Sequence, residues 1–166
     1  MAKEAIEIEG TVSEVLPKVG YDFPKIYPLI ALAHVQLANQ DGRAAVDTAR
    51  QALTLAERSA SRLEEGPAHR VLAQAHEQAG DLSDASAHHR DSISVLSAID
   101  SPPELAQSLL AYGSFLARSD PNAAREHLQR ALALFDDLGA TGWITETRST
   151  LATDTMGKLT REIASR

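Results

Sequence analysis

Six histidines and no cysteine carry most of the chemistry this sequence could perform. A metal ion needs two or more ligand atoms within reach of one point. His69 and His76 are seven residues apart, so on a helix they share a face but sit two turns, about 10 Å, apart. That is too far for direct co-ligation. His88 and His89 are adjacent and point to different sides of a helix. His76-Glu77 lacks the second histidine four positions on that a helical zinc-hydrolase motif requires. His89 falls at a packing position and reads as a buried structural residue. No metal site is expected, and the same holds for other chemistry. Glu64-Glu65 and Asp136-Asp137 are carboxylate pairs at helix ends, where water solvates them. Gly139-Ala-Thr-Gly142 is neither a phosphate-binding loop nor a dinucleotide fingerprint, and reads as a helix C-cap and turn. Serines and histidines show no spacing that implies a nucleophile with its base. The expectation is a chain without catalytic residues, metal or cofactor.

Composition narrows the class further. The chain has 166 residues, 43% hydrophobic and 23% charged, enough for one domain with a continuous core. Aromatic residues are only 4%, while Ala and Leu abound, which suits closely packed helices. The net charge of −7 and the lack of a basic face argue against nucleic acid as a partner. Absence of cysteine rules out disulfides and thiolate chemistry. The first residues are charged and no apolar signal region follows. No apolar run approaches the roughly 20 residues of a membrane span. The expected location is the cytoplasm, with no membrane partner.

The elements show themselves by punctuation. Ser101-Pro102-Pro103-Glu104 and Asp120-Pro121 are helix starts, with a capping residue followed by proline in the first turn. Gly80 and Gly139 suit helix ends. Gly66-Pro67 is taken to open one helix, so that the preceding one, carrying Ala45, Ala49, Ala52, Leu53 and Leu55, continues to Leu63. Leu29, Leu32, Ala33, Gln36 and Leu37 form a helix before it, and Asn39 to Gly42 a turn. Leu82, Ala85, His89, Ile93 and Leu96 mark another apolar stripe, as do Leu105, Leu109, Tyr112 and Leu116, and then Ala124, Leu128, Ala131, Leu132 and Phe135. A last helix is expected from about Thr141 to Ile163. Short connections make neighbouring helices antiparallel.

A 40-residue rhythm runs through these helices. Leu32-Ala33, Leu72-Ala73 and Tyr112-Gly113 follow one another at forty positions, and Ala52-Leu53, Ser92-Ile93 and Ala131-Leu132 keep nearly the same beat. Ala45, Ala85 and Ala124 add a third small position. Small residues in phase on paired helices resemble the tetratricopeptide repeat (TPR), in which close helix crossings exclude larger side chains. The usual period is about 34 residues; the excess here is similar to the long-helix variety of bacterial STAND-type regulators and kinesin light chains. The extra length is expected in the second helix of the hairpin, as from Ala52 to Glu64. The stretch from Ala131 to Gly139 followed by Trp143 resembles the closing repeat and end helix of those regulators. The resemblance implies an all-α, right-handed superhelical solenoid of antiparallel hairpins: a leader over 1–23, three repeats over 24–64, 65–100 and 101–138, and a capping helix with a polar tail over 139–166.

The leader is read separately. Residues 1–17 resemble the start of bacterial translation initiation factor one, and Ile6, Ile8, Gly10 and Val12 alternate as in a strand. Nothing after Pro17 continues that resemblance, and a lone strand cannot bury itself. As a helix, the segment would pack Ile6, Val12, Val15 and Leu16 on the first repeat. The helix is the expectation; an edge strand paired in a dimer and a vector leader are the alternatives. No RNA-binding role is carried over.

In such a stack the first helices of the hairpins line a concave side. By repeat phase, Tyr27, His34, Arg70, Gln74, Gln107, Ser114 and Arg118 face it. Arginine can clamp a carboxylate, and Gln and His can hydrogen-bond a peptide backbone. The expected function is a protein-interaction module that binds a peptide or helix of a partner protein in this groove. Arg70 and Arg118 would be charge anchors. The Lys and Asn set of chaperone-tail-binding TPRs is absent, with Ile30, His34 and Val71 at the matching places, so that partner is not expected. The alternative is a self-associating, for instance homodimeric, assembly or sensor segment of a larger signalling or transcriptional regulator.

Overall fold

The computed structural model describes residues 23–164, with side-chain surroundings for 25–152. The readings made for the leader lie outside the described residues. Among the described residues, seven helices follow one another with turns of a few residues: α1 (Phe23–Ala38), α2 (Gly42–Arg58), α3 (Arg62–Ala79), α4 (Leu82–Ala98), α5 (Pro102–Leu116), α6 (Pro121–Asp137) and α7 (Thr141–Ala164). No strand occurs among the described residues. Each helix packs on the next, and α1, α3 and α5 also meet side by side. The result is an all-α solenoid of stacked hairpins, as the rhythm predicts.

The turns explain the length of the rhythm. Gln40, Ala60, Gly80 and Asp100 each adopt a left-handed backbone, with φ of 62°, 52°, 92° and 50°. They stand twenty residues apart, so each forty-residue repeat is two half-units of one helix plus one tight turn. A left-handed residue lets the chain fold back while its N–H groups return to the last carbonyls of the helix. In the first such turn, Gln40 N–H bonds the Leu37 carbonyl and Asp41 N–H that of Gln36. The next left-handed residue is Gly139, at φ 66°; the turn before α6 has none, and Asp120 caps that helix by accepting from Ala123 N–H at 3.1 Å.

Two helix boundaries differ from expectation. Helix α2 stops at Arg58 rather than Leu63, and α3 starts at Arg62, so Pro67 lies inside α3. The cause is the tight turn at Ala60, whose left-handed backbone lets Ser61 N–H return to the Ala56 carbonyl while the Ser61 carbonyl accepts from Glu64 and Glu65 N–H and opens α3 ahead of the proline. Ser61 Oγ reaches the Glu64 carboxylate, and Glu64 and Glu65 place negative charge in the first turn. The extra length is therefore shared: α2 has 17 residues and α3 has 18. Gly66 marks a close crossing instead of a start. A Cβ there would fall 2.4 Å from Leu96 Cγ of α4, and Ser92 Oγ donates to the Gly66 carbonyl at 2.7 Å.

All nine small positions of the rhythm are buried. Their large neighbours differ. Leu72 and Tyr112 are 1% and 8% exposed, whereas Leu32 is 47% exposed. The first two are covered by the hairpin before them, and no helix precedes α1 among the described residues.

The interior is divided. One apolar core gathers Ile26, Ile30, Ala49, Leu53, Val71 and Leu72 from α1 to α3, and another gathers Leu109, Leu128 and Phe135 from α5 and α6. Between them lies a buried polar and aromatic seam. Ser92 and Ser108 share a hydrogen bond of 2.8 Å, and Ser86 and Tyr112 one of 3.2 Å. His89 is wholly buried and stacks on Tyr112, with ring centres 5.2 Å apart.

Candidate functional site

Helices α1, α3 and α5 bring His34, Gln74 and Ser114 together, one from each, at forty-residue spacing. These three residues and Glu77 line both lobes of one trough. The larger lobe, about 740 Å³, adds Leu37, Leu82, Phe115 and Arg118. The smaller, about 380 Å³, adds Arg70, Gln107, Leu110, Trp143 and Glu146. Six of the seven residues chosen by repeat phase thus meet in this trough. Tyr27 does not line either lobe. It is half-exposed on α1, and burial, then the charges of Glu64 and Glu104, raise its pKa.

Arg70 enters the trough already engaged. Its Nη2 donates to the Glu104 carboxylate at 2.8 Å and to Gln107 Oε1 at 3.3 Å. Its Nη1 donates to the Glu104 carbonyl and to Ser108 Oγ, both at 3.1 Å. The side chain is only 11% exposed. A planar fork with four acceptors ties α3 to α5, which makes Arg70 a strut of the trough wall. Sequence spacing could not reveal this, because the partners lie 34 to 38 positions away.

Arg118 is exposed at the far end. Burial raises the pKa of Glu77, and the charge of Arg118 opposes that rise. Burial also lowers the pKa of His34, assisted by the positive charge of Arg70. The trough offers an imidazole, two amides, a hydroxyl and one acid facing one base, over an apolar floor. That set can hydrogen-bond a backbone and enclose a few apolar side chains; it contains no nucleophile poised beside a base.

Glu77, Trp143 and Glu146 were missed by the sequence reading. Glu77 is seven residues after Arg70 and three after Gln74, so helical periodicity alone could have placed it on this face. Trp143 and Glu146 come from α7, which acts as a fourth wall. Trp143 is held against Phe135 with rings nearly parallel, 9° apart, and centres at 5.6 Å.

The histidines also regroup. His69 of α3 and His88 of α4 meet, Nδ1 to Nδ1, at 3.0 Å. His76 stacks on His88 at 5.6 Å and reaches Asp81 at 3.3 Å. His69 and His76 lie roughly 100° around α3 from Arg70, Gln74 and Glu77, so this cluster is separate from the trough.

Stacked antiparallel hairpins with small residues at each crossing define a TPR-like helical-repeat protein. Among solved structures, the chain is similar to the apo form of RapI, with a TM-score of 0.73 at 17% identity. The alignment covers 96% of this chain and 59% of that one, so the chain spans little more than half the length of its structural neighbour. At that identity the likeness shows the fold alone. No family model matches the sequence, and no curated protein matches it.

Proposed function

We propose that the chain is a protein-interaction module, not an enzyme, whose trough takes a peptide or helix from a partner protein. The observation that carries this is the convergence of His34, Gln74 and Ser114 from three successive repeats on one continuous trough. Concave surfaces of this kind are what helical repeats use for binding. Because Arg70 is spent on Glu104, Gln107 and Ser108, the charge anchor is Arg118, with Glu77 beside it. The repeats over 24–138 and the capping helix act as one unit in this reading, since Trp143 and Glu146 of α7 complete the wall. A cytoplasmic location suits it; no helix among the described residues is long and apolar enough to cross a membrane.

The test is selection of ligands for the full chain from a displayed random-peptide library. Selected peptides are then measured against Ser114→Trp, which fills the trough, and Arg118→Glu, which reverses its charge. Both positions are exposed, so helical content should not change. Binding should fall at least about tenfold, a loss of about 1.4 kcal/mol. Peptides that bind both variants as tightly as the parent would remove the trough from consideration.

A second reading has one observation in its favour. Leu32 and Val35 are exposed on α1, the first of the described helices, on the face that a preceding hairpin would cover. A second copy of the chain stacked on this face would do so. Sedimentation should then show a dimer that Leu32→Glu abolishes; a monomer at all concentrations rejects this reading.

A further inference from the structure

We propose that His69, His88 and Asp91 form a binding site for a divalent transition-metal ion, with Zn²⁺ as the best-suited ion. The ligand atoms all lie within 4.8 Å of one another. His69 Nδ1 and His88 Nδ1 are 3.0 Å apart, and His88 Nδ1 is 4.0 Å from Asp91 Oδ2. Two imidazole nitrogens on a tetrahedral zinc, each about 2.0–2.1 Å from it, are about 3.3 Å from each other. The rings therefore need to separate by only a few tenths of an ångström to admit the ion between them, and the exposed Asp91 carboxylate has to swing in by up to about 1.5 Å to complete the set.

The helices hold this arrangement in place. Gly66 and Ser92, His69 and His88, and His76 and Asp81 are successive rungs of the antiparallel pair α3–α4, each joined by a hydrogen bond. The rungs converge on the turn at Gly80, and Gly66 lets the helices approach closely enough for the imidazoles to touch. His88 and Asp91 are three apart on α4 and so project from the same side. His76 stacks on His88 and leans on Asp81, which fixes the plane of the His88 ring.

The surroundings favour a cation. Asp91, Glu65 and Glu57 all place negative charge at His69, and Asp91 and Asp84 do so at His88. His69 is buried, His88 half-buried and Asp91 exposed, so an ion would have an open route from the solvent side. Three protein ligands leave a fourth position for water, or for a group of another molecule.

The test uses the full chain without any histidine tag, stripped of metal by a chelator. Zn²⁺ is added in a calorimetric titration, and Co²⁺ in a parallel one followed by its visible absorption. One saturable equivalent in the micromolar range or tighter is expected, with the intense Co²⁺ bands of tetrahedral coordination. His88→Gln and Asp91→Asn should each weaken binding about tenfold or more, whereas His127→Gln should leave it unchanged. His69 is the most buried ligand, so its role is read in the unmutated protein, from the nitrogen chemical shifts of the His69 and His88 rings on adding Zn²⁺. Absence of saturable binding overturns the proposal, and identifies the 3.0 Å contact as a plain hydrogen bond. Binding that survives His88→Gln, or that leaves both rings' shifts unmoved, overturns it equally.

Discussion

His89 should make the fold acid-sensitive, and the size of the effect can be worked out. The ring is fully buried between the two apolar cores, and neither of its nitrogens has a hydrogen-bond partner among the described residues. Burial lowers its pKa to about 4, with the charges of Arg70, His88 and His127 adding to the effect. In the unfolded chain the ring titrates near the ordinary 6.5. Between these values the unfolded state binds a proton that the folded state refuses, so stability falls as pH drops. At pH 7 both states are largely neutral and little is lost. The linkage relation gives a loss of about 2 kcal/mol at pH 5 and about 3 kcal/mol at pH 4. Against a typical total of about 5–15 kcal/mol this is a large share. Urea melts of the parent and of His89→Leu, at pH 7, 5 and 4, isolate the term. Leucine has a similar volume and nothing to protonate, and the other buried histidines titrate in both proteins and largely cancel. The stability of His89→Leu relative to the parent should rise by about 3 kcal/mol between pH 7 and pH 4. If the two proteins lose stability in parallel, the reasoning about His89 is wrong.

Two further substitutions probe the architecture. Ala60→Gly should stabilise by roughly 0.5 kcal/mol and Gly80→Ala destabilise by about 1 kcal/mol, since both residues are left-handed and only glycine is at ease there. Nothing lies within 4 Å of a Cβ at Gly80, so its effect is backbone strain alone; thermal melts that show the same sign for both would contradict the account of the turns. Gly66→Ala should cost about 1–3 kcal/mol by overpacking against Leu96. The cost should shrink in a Leu96→Ala background, and a double-mutant cycle with no coupling would show that the crossing is not where the strain arises.

Much of this fold was legible because its cause is local and repeated. Small residues at fixed intervals can pack only as close helix crossings, Gly80 and Gly139 end helices by their left-handed backbone, and Asp120 begins one with its side-chain cap. The same phase placed His34, Gln74 and Ser114 on one side, since residues forty apart occupy equal positions in equal units. The reading failed where two local signals competed. Pro67 looked like a helix start, but the left-handed turn at Ala60 and the backbone bonds of Ser61 end α2 and open α3 before it.

What the sequence determined by itself, then, is the repeat, the placing of small residues at the crossings, and the side of the stack on which the trough lies. Tertiary structure decided which polar groups remain available there. Arg70 was chosen as an anchor from its position, yet Glu104, Gln107 and Ser108 consume its donors across the α3–α5 contact. Likewise, His69 and His76 are too far apart along one helix to share a ligand, but the antiparallel return of α4 sets His88 beside both. Periodicity describes what one helix presents. Pairing between helices depends on where the turn falls and how closely the backbones approach, and those are fixed only when Gly80 reverses the chain and Gly66 lets α4 come near.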